Sequence, residues 1–203
     1  MSELFTRNDL STVIDLMKND KKVIAMPTDT VFGIGCVYDD LLSLERIKQI
    51  KHRDPRKALP MMCSNLEMIE RIAILNDDDR RLVKAMGKGA ITYIFRLREE
   101  IDRTITNGLD TIAIRIPDDD FIIGLIEGIN KPLLVTSMNI SNEPSIRYAS
   151  EVIAKFNDQV DIIINEDALS TVSSTIYDTI NHRILRQGAI DLKTIEEKGS
   201  LHG

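Results

Sequence analysis

The chain has 203 residues, 43% of them hydrophobic and 29% charged, with a formal net charge of −6. These are the proportions of a globular protein of one domain with a full core, and no apolar run approaches the roughly 20 residues a membrane-crossing helix needs. The acidic balance argues against a surface given over to nucleic acid, which requires cations facing the phosphates; it leaves room for a local basic cleft.

Residues 1–7 lack the charged start and apolar middle of a signal peptide. The cysteines, Cys36 and Cys63, have no metal-ligand or redox spacing, and His52, His182 and His202 form no ligand cluster. Reduced, buried thiols in a cytoplasmic protein are expected.

In chain order, Asn8 is an N-cap for a helix carrying Leu10, Val13, Ile14 and Met17 at helical spacing. Lys22–Met26 reads as a buried strand and Gly35–Tyr38 as a second. Asp39 or Asp40 caps a helix with Leu41, Leu44 and Ile47. Leu59–Cys63 is a third strand, Asn65 caps a helix with Leu66, Ile69 and Ile72, and Asp77-Asp78-Asp79 opens a helix ending near Met86. Ala90–Leu97 is a long strand, Thr106-Asn107-Gly108 a turn, and Thr111–Ile116 an alternating strand with Arg115 on the face of Thr111 and Ala113. A short helix (Asp119–Gly128), a strand (Leu133–Thr136), a helix near Ala149–Phe156, strands at Val160–Asn165, Ser174–Asp178 and Arg183–Arg186, and a helix at Leu192–Lys198 complete the chain. Strands and helices mix without a strict βαβ rhythm. The expected fold is α/β (α+β), a single domain over 1–203 with a twisted mixed sheet flanked by helices.

The chemistry concentrates between Ala25 and Cys63. An apolar run ends in Pro27 and three polar residues, and Gly33 and Gly35 follow, where backbone can approach a ligand. Then comes a cationic cluster, Lys48, Lys51, Arg53, Arg56 and Lys57, interrupted by Asp54 and Pro55. In extended chain Lys51 and Arg53 point the same way, and paired cations call for an anion such as a triphosphate or pyrophosphate. A solvated basic helix end is the competing reading. Ser137 and Asn139 leave a strand end where ligands gather in α/β sheets, with a turn closing the strand as the alternative. Arg115, among isoleucines, needs a carboxylate from the protein or from a substrate, and Arg186 poses the same question. No Ser-His-Asp constellation is readable, Gly33–Tyr38 lacks the third glycine of a dinucleotide fold, and Met86–Thr92 is not a Walker loop.

Together these pieces resemble the YrdC-like family of threonylcarbamoyl-AMP synthases. Pro27–Gly35 (PTDTVFGIG) is similar to the family's PT-x-TVYGLG signature, Lys51-x-Arg53 with Ser137-x-Asn139 to its KxR…SxN tetrad, and Lys57–Pro60 to its KPLP segment. Thr106–Arg115, Ser173–Ile176 and Ile184–Gly188 follow in the family's order. Departures are Phe32 for a usual Tyr, Met62 where some members carry a His, and Met86-Gly87-Lys88-Gly89 for a Pro-Gly-Pro turn. The chain looks like the short, single-domain form.

The resemblance implies synthesis of threonylcarbamoyl-AMP and pyrophosphate from L-threonine, bicarbonate and ATP, with Mg²⁺ carried by the ATP rather than by protein ligands. The product would pass to downstream proteins that transfer the threonylcarbamoyl group to tRNA. Matched by position, Lys51, Arg53, Ser137 and Asn139 form the catalytic set. Arg53, Lys57, Thr106, Ser137, Ser145 and Arg186 bind ATP, and Thr30, Arg115 and Ser174 hold threonine. A double-stranded RNA-binding module using the same basic cleft is the alternative; carbamoyl transfer in metalloenzyme maturation is disfavoured by the missing modules.

Overall fold

The structure is a computed structural model that describes residues 1–54, 56–141, 143–170 and 172–200; Pro55, His202 and the end of the expected 1–203 domain lie outside them. β1 (Glu3–Phe5) leads through a 3-10 turn (Arg7–Asp9) into α1 (Leu10–Asn19), which buries Val13 and Met17. That turn absorbs the expected cap Asn8 and moves the cap position to Asp9. β2 (Ile24–Pro27) is buried at every residue. It ends at a proline, which has no N–H to donate, and β3 (Phe32–Val37) returns antiparallel with Pro27 opposite Phe32. β3 starts three residues earlier than the pattern suggested, because Phe32 pairs with Pro27 and Gly33 and Ile34 are paired on both sides.

Asp40, the second of the two expected caps, accepts from the Ser43 N–H and starts α2 (Leu41–Ile50). β4 (Met61–Met62) is shorter than read, and Asn65 caps α3 (Leu66–Ile72) as expected. β5 (Ala73–Ile74) is followed by α4 (Asp77–Met86), with its three aspartates in the first turn. Then come β6 (Ile91–Leu97), a 3-10 turn (Arg103–Thr106), β7 (Thr111–Arg115), α5 (Asp120–Ile129) and β8 (Leu133–Ser137). α6 (Ala149–Phe156), β9 (Ile162–Ile164), β10 (Thr175–Asp178), β11 (Arg183–Arg186) and α7 (Leu192–Ser200) follow.

The strands form one mixed sheet in the order β1-β9-β2-β3-β8-β4-β7-β6-β10-β11, with β5 paired to β6 outside that path. Helices flank it. α5 lies against α1 because Gly124 and Gly128, four residues apart on one helix face, leave room for Leu10 and Ile14. A Cβ at Gly128 would sit 2.3 Å from the Ile14 Cδ1. Cys36 and Cys63 are buried and unpaired, and burial pushes both thiols well above their usual range.

Register sets up the functional region. Gly33 faces Ser137 across β3 and β8. Met62 on β4 pairs with Arg115 on β7, and Ile176 on β10 pairs with Thr92 on one side and Arg186 on the other. Polar residues scattered over 150 positions are thereby brought toward one end of the sheet.

Candidate active site

The loop between β2 and β3 is four residues, Thr28–Val31, held by its own first side chain. The Thr28 hydroxyl donates to the Val31 carbonyl at 2.7 Å and accepts the Thr30 N–H at 3.1 Å, a side-chain turn that competes successfully with the ladder. Thr28 and Thr30 face a cavity in front of the sheet. Asp29, between them, turns the other way and meets Arg115.

The cavity encloses about 510 Å³ of space between its walls, open solvent at its mouth included. Thr28, Thr30, Gly33, Met62, Thr92, Arg115, Val135, Ser137, Ser174 and Arg186 are among the residues that line it. Of the residues expected from sequence to bind, Thr30, Arg115, Ser137, Ser174 and Arg186 therefore share one hollow. Gly33 lines the cavity and packs against Val135, whereas Gly35 lies outside the lining and packs against β8. A Cβ there would lie 2.7 Å from the Leu134 carbonyl of β8.

Arg115 is 4% exposed. Its question is answered from within the protein: NH2 donates to Asp29 Oδ1 at 2.9 Å and NH1 to Asp29 Oδ2 at 3.3 Å. Burial lowers its pKa and Asp29 opposes that shift. Arg186, which lines the same cavity, donates through Nε and NH2 to the Ser174 carbonyl, at 3.1 and 2.8 Å, and through NH2 to the Ser174 hydroxyl at 3.1 Å. That hydroxyl also bonds Thr92 at 2.8 Å. No carboxylate pairs with Arg186 among the described residues; burial, and then the charge of Arg115, lower its pKa.

Lys51 is the second focus. It is the C-cap of α2, 2% exposed, and its ammonium donates to the carbonyls of Ser137 and Asn139 and to the Asn139 side-chain oxygen. The Ser137 hydroxyl closes onto the same Asn139 oxygen at 2.7 Å, and the Asn139 amide donates to the Glu143 carbonyl at 2.6 Å. The lysine and the Ser-x-Asn segment, 86 residues apart, thus form one knot. Burial, with a smaller contribution from Arg53, pulls the Lys51 pKa down to about 8.

The extended Lys51–Arg53 geometry expected from alternation does not occur. Lys51 keeps helical backbone, and His52 turns the chain at a φ of 48°. Arg53 is aimed instead at the carbonyls of Lys57 and Ala58, at 2.9 and 2.8 Å. The wider cationic cluster is also dispersed. Lys48 donates to the Asn107 side chain, Arg56 pairs with Asp54, and Lys57 is exposed. Thr106 is fully buried, its hydroxyl bonded to the Arg103 and Leu109 carbonyls. Ser145 is half-buried, one residue before Ile146, whose backbone bonds Met138 and Phe32. Of the expected site residues, Lys51, Arg53, Lys57, Thr106, Asn139 and Ser145 do not line the cavity.

Sequence reasoning missed Asp29 as the partner of Arg115, and Thr92 as the partner of Ser174. Thr92 carried a readable signal, being a lone small hydroxyl in an otherwise apolar start to β6. Among the described residues no group of three or more His, Cys, Asp or Glu side chains converges as a metal site, and no helix is long and apolar enough to cross a membrane.

Comparison with known proteins places this geometry. The Sua5/yciO/yrdC family model, described as telomere recombination, matches residues 11–188. A protein of Enterobacter sp. (strain 638) named threonylcarbamoyl-AMP synthase is 28% identical over 191 residues, covering 93% of this chain and all of its own length. The crystal structure of P. abyssi Sua5 complexed with L-threonine superposes with a TM-score of 0.87 at 29% identity, over 98% of this chain and 59% of that one. The chain thus spans about three fifths of that Sua5. E. coli YciO gives the same TM-score at 25% identity, over 96% of this chain and all of YciO.

Proposed function

The chain belongs to the Sua5/YciO/YrdC family, and from that premise we propose that it is a threonylcarbamoyl-AMP synthase and nucleotidyltransferase acting on L-threonine, bicarbonate and ATP. The observation that carries this reading is the convergence of Thr30, Arg115, Ser137, Ser174 and Arg186 on one cavity, with Ser137 bonded into the Lys51 knot.

The reaction needs two bond-forming events. The threonine amine and bicarbonate give a carbamate with loss of water; a carbamate oxygen then attacks the α-phosphorus in line, and pyrophosphate leaves. Such a transfer depends on positioning and on stabilising charge rather than on a protein nucleophile. In this reading Thr30, Arg115 and Ser174 hold threonine. Lys51, Arg53 and Lys57 act on the phosphates, Lys51 through its field and through the Ser137–Asn139 segment it orders. Ser137 and Asn139 meet the α-phosphate, and Arg186 lies along the nucleotide. Thr106 contributes through the turn its hydroxyl closes, and Ser145 through its place beside Ile146, whose backbone ties Met138 to Phe32.

Mg²⁺ would arrive on the triphosphate, and the oxygen donors nearest to it in this arrangement are the Ser137 and Asn139 side chains. The reading takes residues 1–203 as one domain, supported by the sheet that joins every described strand. It also implies cytoplasmic work alongside proteins that transfer the threonylcarbamoyl group to tRNA, with RNA contact confined to that handover. The dispersal of Lys48, Arg53 and Arg56 onto protein partners gives no support to an RNA-binding module as the main function.

The test is pyrophosphate release from ATP with L-threonine and bicarbonate each omitted in turn. Release that needs both supports the reading; release indifferent to threonine overturns it.

A further inference from the structure

We infer that Asp29 is a positioning residue for this site: it fixes the Arg115 guanidinium at the angle that presents a remaining donor to an amino-acid carboxylate in the cavity. The inference rests on the threonine-binding reading above and adds to it a residue that does not itself touch substrate.

A guanidinium has five N–H donors in a rigid plane. Arg115 spends three of them inside the protein: NH1 and NH2 grip the two oxygens of Asp29, and the second NH2 hydrogen reaches the Thr28 hydroxyl at 3.4 Å. The remaining two, on Nε and NH1, leave from opposite edges of the plane, so one of them is left for a carboxylate in the cavity that Arg115 lines. Asp29 does not line that cavity. It sits behind the arginine and is itself held by the Asp118 N–H at 3.2 Å. The chain has the means to hold it there, since the Thr28 hydroxyl fixes the loop on either side of Asp29.

Two effects oppose one another. As a charge, Asp29 cancels part of the pull of Arg115 on a substrate carboxylate, so its removal should tighten binding. As a fork, it sets the plane of the guanidinium, so its removal should loosen binding. A planar bidentate contact depends steeply on angle, and a buried arginine released from its partner turns to any other acceptor. Arg186 lines the same cavity without a carboxylate partner among the described residues, so attraction for an anion persists either way. Orientation should therefore win.

The experiment measures KM for L-threonine and for ATP by pyrophosphate release in Asp29→Asn, Asp29→Glu and Arg115→Ala. Asn keeps one acceptor but sets an amide against the NH1 donor. Threonine KM should rise about tenfold, as for loss of a charged hydrogen bond, with ATP KM within about twofold. Glu keeps the charge but displaces the fork by one methylene, so threonine KM should still rise about threefold. An unchanged or lowered threonine KM in folded Asp29→Asn overturns the inference, as does an equal rise in both KM values. If the Asn variant does not fold, wild-type threonine KM in Asp29→Glu overturns it. A raised threonine KM in Arg115→Ala beside a normal one in Asp29→Asn removes Asp29 alone. Wild-type protein that needs no threonine removes the parent reading with it.

Discussion

Two buried cations anchor this site, and they are held in opposite ways. Arg115 lies in a fork with Asp29, charge against charge, with both side chains below a tenth exposed. Lys51 is buried as deeply, yet its three partners are the neutral oxygens of Ser137 and Asn139. Carbonyl dipoles orient an ammonium without cancelling its charge. The contrast shows in the acid–base behaviour: burial drags Lys51 down to about 8, and Arg53 adds to the effect instead of relieving it, whereas Asp29 pushes back against the burial of Arg115. A compensated cation supplies geometry; an uncompensated one supplies field. That division suits the proposed reading, in which the site grips a small zwitterion at a fixed angle and also attracts a polyanion.

If the division is right, the two residues should fail in different assays. The largest effect is expected for Arg115→Ala, and it should appear in stability. The variant strands the Asp29 carboxylate in the interior, and breaking a buried pair from one side costs roughly 3–5 kcal/mol. Denaturant unfolding measures it. Arg115→Ala/Asp29→Ala should recover a good part of that loss, because the orphaned charge goes with its partner. A single-variant loss of about 1 kcal/mol or less, the scale of an exposed ion pair, would erase the contrast.

Lys51→Met should invert the pattern. It removes a buried charge whose presence already opposes folding and leaves neutral oxygens short of a donor, at about 1–3 kcal/mol. The two contributions offset, so stability should change little beside Arg115→Ala. Activity should suffer more: kcat/KM for ATP is expected to fall about 100-fold, near 2.7 kcal/mol, as the field and the Ser137–Asn139 geometry go together. Steady-state pyrophosphate release decides it. A variant with near-normal ATP kinetics would make Lys51 a structural knot only.

The local half of this arrangement was legible in the residues. α6 falls on Ala149–Phe156 as its apolar spacing indicated, and Asn65 and Asp40 cap the helices their positions announced. β1 left no trace because its three residues alternate weakly and pair only with β9, some 160 residues away. β5, two residues long and directly after α3, is too short to show a period. The site divided the same way. That Arg115 required a carboxylate followed from its setting among isoleucines, but that Asp29 supplies it depends on a contact across 86 positions. Alternation misplaced Lys51 and Arg53 because it assumes extended backbone, and the single left-handed residue His52 breaks that assumption. Period and capping are properties of neighbours; which side chain answers which is a property of the sheet order.

The smallest effect is also the one that separates field from geometry within Lys51 itself. Its folded pKa is about 8 and the ordinary lysine value is 10.5. Above pH 8 the folded protein sheds this proton and the field at the phosphate site weakens, so kcat/KM for ATP should fall about tenfold between pH 7.5 and 9. Stability should move the other way. Between about 8 and 10.5 the unfolded chain binds more protons at this position than the folded one, so the Lys51 contribution to unfolding free energy rises with pH across that window. Other lysines and tyrosines titrate there too, and Lys51→Arg removes them from the account, since a guanidinium keeps its proton throughout. The stability difference between wild type and Lys51→Arg should grow in favour of wild type as pH rises, while the alkaline fall in kcat/KM flattens in the variant. A wild-type activity profile level to pH 9.5 would mean that Lys51 either keeps its proton or works without it, and the contrast with Arg115 would then rest on hydrogen-bond geometry alone.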